Sequence, residues 1–269
     1  MAKTIKIKVK DSDAKKSLTK DVAPQKTGQK SRRLQRVKKP PKKRKSLLRR
    51  IRNRILFRYS LRGLILVMAV ILLFSAINPP STLYIKSEER RLGSVDHEWV
   101  PIEEISPHVM RAVVAAEDVN FCAHFGFDIA AIRQAVIEGG NRGASTITQQ
   151  TVKNTFLWTS RSWIRKALEA VLTPAVEALW TKRRVLEVYL NVIEFDEGVF
   201  GIDAASHHYF RKSPQNLTLK EASLLAAVLP NPKGRSASRP TSYISRRAVS
   251  IADGARVIRN TDKVSCFED

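Results

Sequence analysis

The sequence predicts a mainly α-helical domain that follows a single membrane-spanning helix. Two observations predict this: apolar residues recur at helical spacing across most of residues 107–229, and an apolar run at 61–77 precedes them. Alternating strand patterns are scarce, and residues 82–86 are the best strand candidate. We therefore expect four segments: a basic tail (1–54), a membrane anchor (55–78), a globular domain (79–240) and a C-terminal segment (241–269).

The formal net charge of +23 is concentrated at the N-terminus. Residues 1–62 contain 24 Lys and Arg and 3 acidic residues, whereas the remainder contains 24 and 22. The tail has too few apolar residues to form a core, so we expect it to be disordered. Because the rest of the chain is close to neutral, the charge argues against nucleic-acid binding as the main function. The tail can still contact anionic lipid.

The apolar run is predicted to cross a membrane. Extended back to Ile55 it has 23 residues, and a span needs about 20. Arg58 and Arg62 lie near one end, where their side chains can reach the headgroups. A buried core helix and a cleaved signal are the alternatives, but roughly sixty basic-rich residues are too many for a signal's n-region. The positive flank predicts a cytoplasmic N-terminus.

Helical spacing predicts the elements of the domain in order. Helices are expected at 107–120 and 128–138, and a long helical stretch at 161–195 is expected to be interrupted by Pro174. A further helix at 219–229 has Thr218 and Glu221 in the arrangement of a capping box. Cys122 and Cys266 lack metal-ligand spacing, and we expect both to be free thiols.

Four clusters carry candidate chemistry. The first is Glu117-Asp118, with His124 following, at the end of an alanine-rich helix. An apolar setting would raise a glutamate's pKa toward the range of a general base, although a helix end that faces water is the plainer explanation. The second, residues 142–150, contains Ser145, Thr146, Gln149 and Gln150, which suit sugar hydroxyls or phosphate oxygens or simply cap a helix.

The third cluster is basic and contains Lys153, Arg161, Arg165 and Lys166, with Glu169 four residues after Arg165. A surface salt bridge is the default explanation, but grouped cations are also what a diphosphate leaving group needs. The fourth cluster, residues 182–191, together with the small residues that follow it, is interpreted mainly as helix packing. His207 and His208 have no partnering ligand cluster that would indicate a metal site.

In this order and spacing the clusters resemble the peptidoglycan glycosyltransferase family, in particular its monofunctional members. The resemblance covers about residues 98–229. It rests on four motifs, E-D-x-x-F-x-x-H-x-G, G-A-S-T-I-T-Q-Q, R-K-x-x-E and L-E-x-Y-L-N. These four motifs would not occur together by chance. It implies a lysozyme-like glycosyltransferase fold. One departure is that Asp196 stands near a position where the family usually has glycine, and aspartate tolerates a left-handed backbone there.

The resemblance implies the roles of individual residues. Glu117 matches the catalytic glutamate and Glu169 the second essential glutamate. Lys153 and Arg165 match residues that hold the donor's diphosphate. The remaining expected substrate-binding residues are Asp118, His124, Ser145, Thr146, Gln149, Gln150 and Lys166.

The implied reaction is the inverting polymerisation of lipid II into β-1,4 glycan strands. The implied donor is a growing glycan on polyprenyl diphosphate, and the implied location is the bacterial inner membrane with a periplasmic catalytic domain. The resemblance leaves open a divalent cation, Mg²⁺ or Mn²⁺, as a cofactor and cell-wall synthesis or division proteins as partners. No organic cofactor is expected.

A glycan hydrolase or lytic transglycosylase on a similar fold is the main rival, because it also uses a glutamate. The donor-side cations discriminate between the two, since a hydrolase that cuts finished glycan has no diphosphate to neutralise. A second rival is a protein that binds nucleic acid or anionic lipid through the tail, and the charge distribution disfavours it.

Overall fold

The computed structural model describes residues 47–139 and 143–268. The predicted disorder of residues 1–46 lies outside this range, as does Arg142 of the second cluster. For residues 47–54 the prediction of a disordered tail is wrong, because they form the start of a helix. Within it the chain is mainly α-helical, as predicted, with a small three-stranded sheet. The helices are α1 (Leu47–Phe74), α2 (Leu83–Leu92), α3 (Pro107–Glu117), α4 (Ile129–Ile137), α5 (Ile147–Phe156), α6 (Trp163–Leu179), α7 (Lys182–Val192), α8 (Gly201–Phe210), α9 (Leu219–Val228) and α10 (Ser242–Arg259).

Helix α1 provides the candidate membrane span. Its segment Ile51–Phe74 is long and apolar enough to cross a membrane, and most of that segment is not buried by the rest of the protein. The C-terminal end of α1 is attached to the domain. Trp180 donates a hydrogen bond from Nε1 to the carbonyl oxygen of Ile71 (2.8 Å), and Arg184 donates to the carbonyl oxygens of Phe74 and Ile77.

The predicted strand at 82–86 is wrong, because this segment begins α2. Thr82 caps that helix, its Oγ1 accepting from Ile85 N, and the one buried apolar side chain on the helix is Ile85. Five residues are too few to separate alternation from the single buried face of a short helix. The strands observed are β1 (Asp96–His97), β2 (Glu194–Asp196) and β3 (Val199–Phe200), with β3 central, parallel to β1 and antiparallel to β2.

The long helical stretch is interrupted at a different place from the one predicted. Helix α6 runs through Pro174 and ends at Leu179, and Thr181 then caps α7 by accepting from Arg184 N. The chain therefore breaks at Trp180 and Thr181, where a helix-capping side chain is available. The turn near Asp196 also differs from expectation, since Asp196 lies in β2 and the positive φ falls on Gly198.

Helix α3 lies at the centre of the core, with α9 and α10 packed against it. Its buried face includes Val109, Ala112 and Val113, as the helical spacing predicted. The segment 241–269, set apart in the sequence analysis, contributes α10, whose buried side chains join the same core. At Gly254 the two helices are so close that an added Cβ would lie 3.2 Å from Cβ of Ala115.

The prediction that both cysteines are free is wrong, since Cys122 and Cys266 form a disulfide with a Cα–Cα distance of 5.5 Å. The C-terminus returns to the end of α3, where Phe267 is buried and Glu268 pairs with Arg111. Because 144 residues separate the two cysteines, their spacing carries no sign of this return.

Candidate active site

The candidate site is a cleft at the C-terminal end of α3. Glu117 is the last residue of this helix and lines a cavity of about 450 Å³. Three of the predicted substrate-binding residues, Asp118, Ser145 and Thr146, line the same cavity, and Ala130 and Ala131 of α4 form part of its wall. The first and second sequence clusters are therefore brought together.

Glu117 is held in a position that makes its carboxylate basic. Burial raises its pKa, and the hydrogen bond from Gln150 Nε2 to Oε2 (2.8 Å) opposes this rise. The charges of Arg247 and Lys153 also lower the pKa, while Asp118 raises it. The net effect is a pKa above the ordinary value, which is the direction a general base needs.

Asp118 is fully engaged by the protein. Its Oδ1 lies 2.9 Å from Nε2 of His124, and its Oδ2 accepts from the backbone N–H of Ile147 at 3.0 Å. The side chain is almost completely buried. Asp118 thus fixes the end of α3 to the first turn of α5, and His124 reaches the site through Asp118.

Thr146 and Gln149 form the start of α5. They make a capping box, in which Thr146 Oγ1 accepts from Gln149 N and Gln149 Oε1 accepts from Thr146 N. Thr146 Oγ1 also donates to the carbonyl oxygen of Gly126 at 2.7 Å. The cap interpretation of this motif is therefore confirmed for these two residues, with the cap at Thr146.

Helix α5 carries the next two polar residues on one face. Gln150 contacts Glu117, and its Oε1 accepts from the hydroxyl of Tyr189 at 3.4 Å. Lys153 follows one turn later and interacts electrostatically with both Glu117 and Glu169. Burial lowers its pKa, as do the neighbouring charges of Arg165 and Lys166, whereas the two glutamates raise it. Lys153 is thus within electrostatic reach of both carboxylates.

Glu169 organises the basic residues of α6. It is buried, and its two oxygens accept from Arg165 Nη1 (2.8 Å) and from Lys166 Nζ. Arg165 also donates from Nε to the carbonyl oxygen of Ser160, and Lys166 donates to Ser145 Oγ at 3.1 Å. The predicted Arg165–Glu169 pair is confirmed. Two cations contact this buried carboxylate and a third, Lys153, interacts with it electrostatically, so the cluster has positive charge left for an anionic ligand.

Arg247 of α10 is a site residue that the sequence analysis missed. Its charge lowers the pKa of Glu117, and its Nε is buried without a hydrogen-bond partner. The available signal was the Arg246-Arg247 pair in a helix whose other inward positions are apolar. At helical spacing Arg247 falls on the same face as Ile244 and Ile251, whereas Arg246 does not.

Within residues 47–139 and 143–268, no group of three or more His, Cys, Asp or Glu residues could hold a metal ion. The acidic residues of the cleft already accept hydrogen bonds from protein groups. The protein residues present therefore do not form a metal cage, and a divalent cation at this site stays a prediction. Such a cation would depend mainly on phosphate oxygens of a substrate.

Comparison with known proteins agrees with this geometry. Residues 85–255 match the family model described as Transglycosylase. A biosynthetic peptidoglycan transglycosylase from Jannaschia sp. (strain CCS1) is 50% identical over 236 residues, covering 86% of this chain and 99% of that protein. A protein with the same description from Cronobacter sakazakii is 48% identical over 205 residues, covering 71% of this chain and 85% of that protein. Another, from Rhodospirillum centenum, is 43% identical over 211 residues, covering 76% of this chain and 91% of that protein. The chain therefore belongs to the family of biosynthetic peptidoglycan transglycosylases.

Proposed function

We propose that this glycosyltransferase polymerises lipid II into β-1,4 glycan strands, with Glu117 as general base and release of polyprenyl diphosphate. The single observation that carries the proposal is the arrangement along α5. Gln150 hydrogen-bonds to the basic carboxylate of Glu117, and Lys153, one turn later, interacts electrostatically with that carboxylate and with the Arg165–Lys166–Glu169 cluster. One helix thus joins a proton acceptor to a cationic group.

The reaction follows from the proton acceptor and the cationic group. Glu117 takes the proton from the 4-hydroxyl of the acceptor sugar while that oxygen attacks the anomeric carbon of the donor. The new C–O bond forms as the bond from the anomeric carbon to the diphosphate oxygen breaks, so configuration inverts. The bonding electrons leave with the diphosphate, whose negative charge Lys153 and Arg165 stabilise.

Glu169 supports this step through its partners. Its carboxylate fixes the positions of Arg165 and Lys166, so their charges are in place before the leaving group departs. Preorganised charges avoid the cost of reorienting solvent in the transition state. The cluster also favours a transferase over a glycan hydrolase, which releases no diphosphate.

The proposed location is the inner membrane, with the catalytic domain in the periplasm. The candidate span in α1 and the basic residues that precede it support this orientation. The Cys122–Cys266 disulfide supports it too, because disulfides persist in oxidising compartments. Helix α6 exposes Trp163, Ile164 and Val171, an apolar surface suited to contact with lipid.

The test is polymerisation of lipid II by the purified full-length chain. The expected product is a glycan polymer that a muramidase cleaves, with polyprenyl diphosphate released in step with bond formation. Degradation of finished glycan without polymerisation would contradict the proposal and favour the hydrolase.

A reporter fused at about residue 90 tests the orientation. Activity is expected only from a reporter that works in the periplasm, and activity from a cytoplasmic reporter would reverse the assignment.

A further inference from the structure

A second cavity, of about 630 Å³, lies at the N-terminal end of α10. The first turn of α10, the segment that begins with the turn Pro232–Gly234, and the end of β2 all contribute to its lining. It shares no lining residue with the cavity at Glu117. Among the described residues its lining carries three cations and one acid: Lys233, Arg235, Arg239 and Asp196. The lining is therefore positively charged.

The protein neutralises Lys233 but not the two arginines. Nζ of Lys233 lies 2.8 Å from a carboxylate oxygen of Glu88 and 3.3 Å from one of Glu194. Arg235 donates from Nη1 to a backbone carbonyl oxygen at 3.3 Å, and no acidic side chain of the described residues pairs with Arg235 or Arg239. Two guanidinium charges thus remain for a ligand.

Tyr243 makes the cavity suited to an organic anion. It is 53% exposed, and the guanidinium of Arg235 lies over its ring, 5.6 Å from the ring centre. A guanidinium held over an aromatic ring keeps its remaining N–H groups for a carboxylate, whose two oxygens match the planar donor fork. Asp196 does not compete for this position, because its Oδ2 already accepts from the hydroxyl of Tyr209 at 2.8 Å.

Helix α10, which carries this cavity at its start, runs antiparallel to α3. The two helices cross closely, since a Cβ added at Gly254 would lie 3.2 Å from Cβ of Ala115. Arg259, the last residue of α10, lines a further cavity together with His108, near the start of α3. The N-terminal end of α10 therefore lies toward the end of α3 that carries the candidate site.

The cavity is within reach of a peptide on a sugar bound at Glu117. At 1.5 Å per helical residue, Tyr243 lies about 16 Å from the crossing and Glu117 about 3 Å, so roughly 13 Å separates them along the helix axes. An extended peptide spans about 3.3–3.6 Å per residue, so about four residues cover that distance. The sugars of peptidoglycan carry short peptides, and these peptides contain carboxylates.

We propose that Arg235 and Arg239 bind a carboxylate of the peptide that the substrate carries, while the reacting sugar lies at Glu117. This inference rests on the proposed function and deepens it, because it gives the same substrate a second binding site. The diphosphate and the peptide would then have separate cationic sites. A contact so far from the reacting atoms is made equally in the ground state and the transition state, so it lowers KM and leaves kcat unchanged.

The experiment compares lipid II whose peptide carboxylates are free with lipid II in which they are amides. Initial polymerisation rates against substrate concentration give kcat and KM for the full-length parent, Arg239→Met, Arg235→Met and Arg259→Met. Thermal unfolding is the folding control. Arg259→Met is the matched variant, because it removes the same charge from an exposed position at the other end of α10.

In the parent, amidation should raise KM about three- to tenfold and leave kcat unchanged, the usual size for a charged contact near the surface. Arg239→Met and Arg235→Met should raise KM for the free substrate and lose most of the difference between the two substrates. Arg259→Met should keep the parent's preference. A general effect on folding would change both substrates alike, so the lost preference identifies the contact.

Equal KM values for the two substrates in the folded parent would overturn the inference, as would a preference that Arg239→Met retains. Equal KM values together with Arg239-dependent binding to vesicles of anionic phospholipid would assign the cavity to the membrane surface instead. If Arg235→Met fails to fold, the exposed Arg239 decides alone.

A binding measurement separates this inference from the proposed function. The water-soluble disaccharide-peptide, with free or amidated carboxylates, is titrated calorimetrically into the parent and Arg239→Met. Tighter binding of the free form by the parent alone supports the peptide site, even in a protein that makes no polymer from lipid II and so contradicts the proposed function. Equal binding of both forms by the parent counts against the site.

Discussion

Glu117 and Asp118 are neighbours in sequence, yet their surroundings give them different roles. Both carboxylate oxygens of Asp118 are bonded to protein groups, whereas Glu117 accepts one hydrogen bond and lines the cavity. A buried carboxylate with both oxygens bonded to the protein holds the structure, whereas a partly buried one with a free oxygen can take a proton.

Glu117→Gln should therefore abolish turnover without loss of fold. General-base catalysis is worth about a hundred- to ten-thousandfold, and we expect a decrease in initial polymerisation rate of that size. A folded variant that keeps more than about a tenth of the parent rate would contradict the assignment. Asp118→Asn is the companion variant, and it should lower the unfolding temperature more than Glu117→Gln does, since it disturbs the contacts to His124 and Ile147.

The pH dependence of stability offers a second test of Glu117. The pKa of Glu117 is higher in the folded protein than in the unfolded chain. At a pH between these two pKa values folding takes up a proton, so the free energy of unfolding falls as the pH rises through this interval. Glu117→Gln removes that loss. The variant should be at least as stable as the parent at neutral pH and should gain no advantage below the unfolded pKa, as measured by thermal unfolding across pH. A variant less stable than the parent at neutral pH would contradict the burial of a costly charge.

Lys153 and Arg165 are predicted to act on the leaving group. Lys153→Ala and Arg165→Ala should each reduce the polymerisation rate, since each removes charge stabilisation worth a few kcal/mol of barrier. Lys220→Ala is the control, because Lys220 is an exposed cation of α9 that does not line the cleft. Parent-like rates for both Lys153→Ala and Arg165→Ala in folded protein would show that the diphosphate lies elsewhere.

At the scale of elements, short-range chemistry decided where helices begin. Thr218 and Glu221 form the predicted capping box, and α3 presents the predicted buried face. Pro174 was misleading because a proline weakens a helix locally, while the burial of Thr173 and Val176 on either side of it keeps the helix continuous. The residues of the cleft were found because they are grouped in the sequence, whereas Arg247 lies about a hundred residues beyond Gln150 and needs the packing of α10 to be seen.

The close crossing of α3 and α10 makes Gly254 sensitive to substitution. Gly254→Val should separate the helices or strain them, with an expected loss of about 1–3 kcal/mol in the free energy of unfolding. Because α10 carries Arg247, the same variant should lose polymerisation rate by more than its unfolded fraction explains. Gly63→Val is a suitable control, since an added Cβ there meets nothing within 4 Å. A parent-like unfolding curve for Gly254→Val would show that the helices adjust freely.

At the scale of the whole molecule, the chain is closed on itself near the active site. The disulfide attaches the C-terminus to the segment after α3, and two further contacts reinforce it, Arg111 with Glu268 and Arg183 with the carbonyl oxygen of Phe267. No local pattern predicts this closure, because it depends on where the last ten residues go after α10 ends. Tertiary packing decides that, and with it the state of both cysteines.

Breaking this closure should destabilise the domain without removing its chemistry. Cross-linking a long loop restricts the unfolded chain, and loss of such a link typically costs about 2–5 kcal/mol. The double variant Cys122→Ser and Cys266→Ser should therefore unfold at a lower temperature than the oxidised parent, and a reductant should lower the parent's unfolding temperature to a similar value. The reductant should leave the unfolding temperature of the double variant unchanged, which controls for effects on other groups.

Below the unfolding transition the variant should still polymerise lipid II, since Glu117 and its partners on α5 and α6 make no contact with either cysteine's sulfur. If reduction leaves the parent's unfolding temperature unchanged, the two thiols are not bonded in the protein and the C-terminus is held by Phe267 and Glu268 alone.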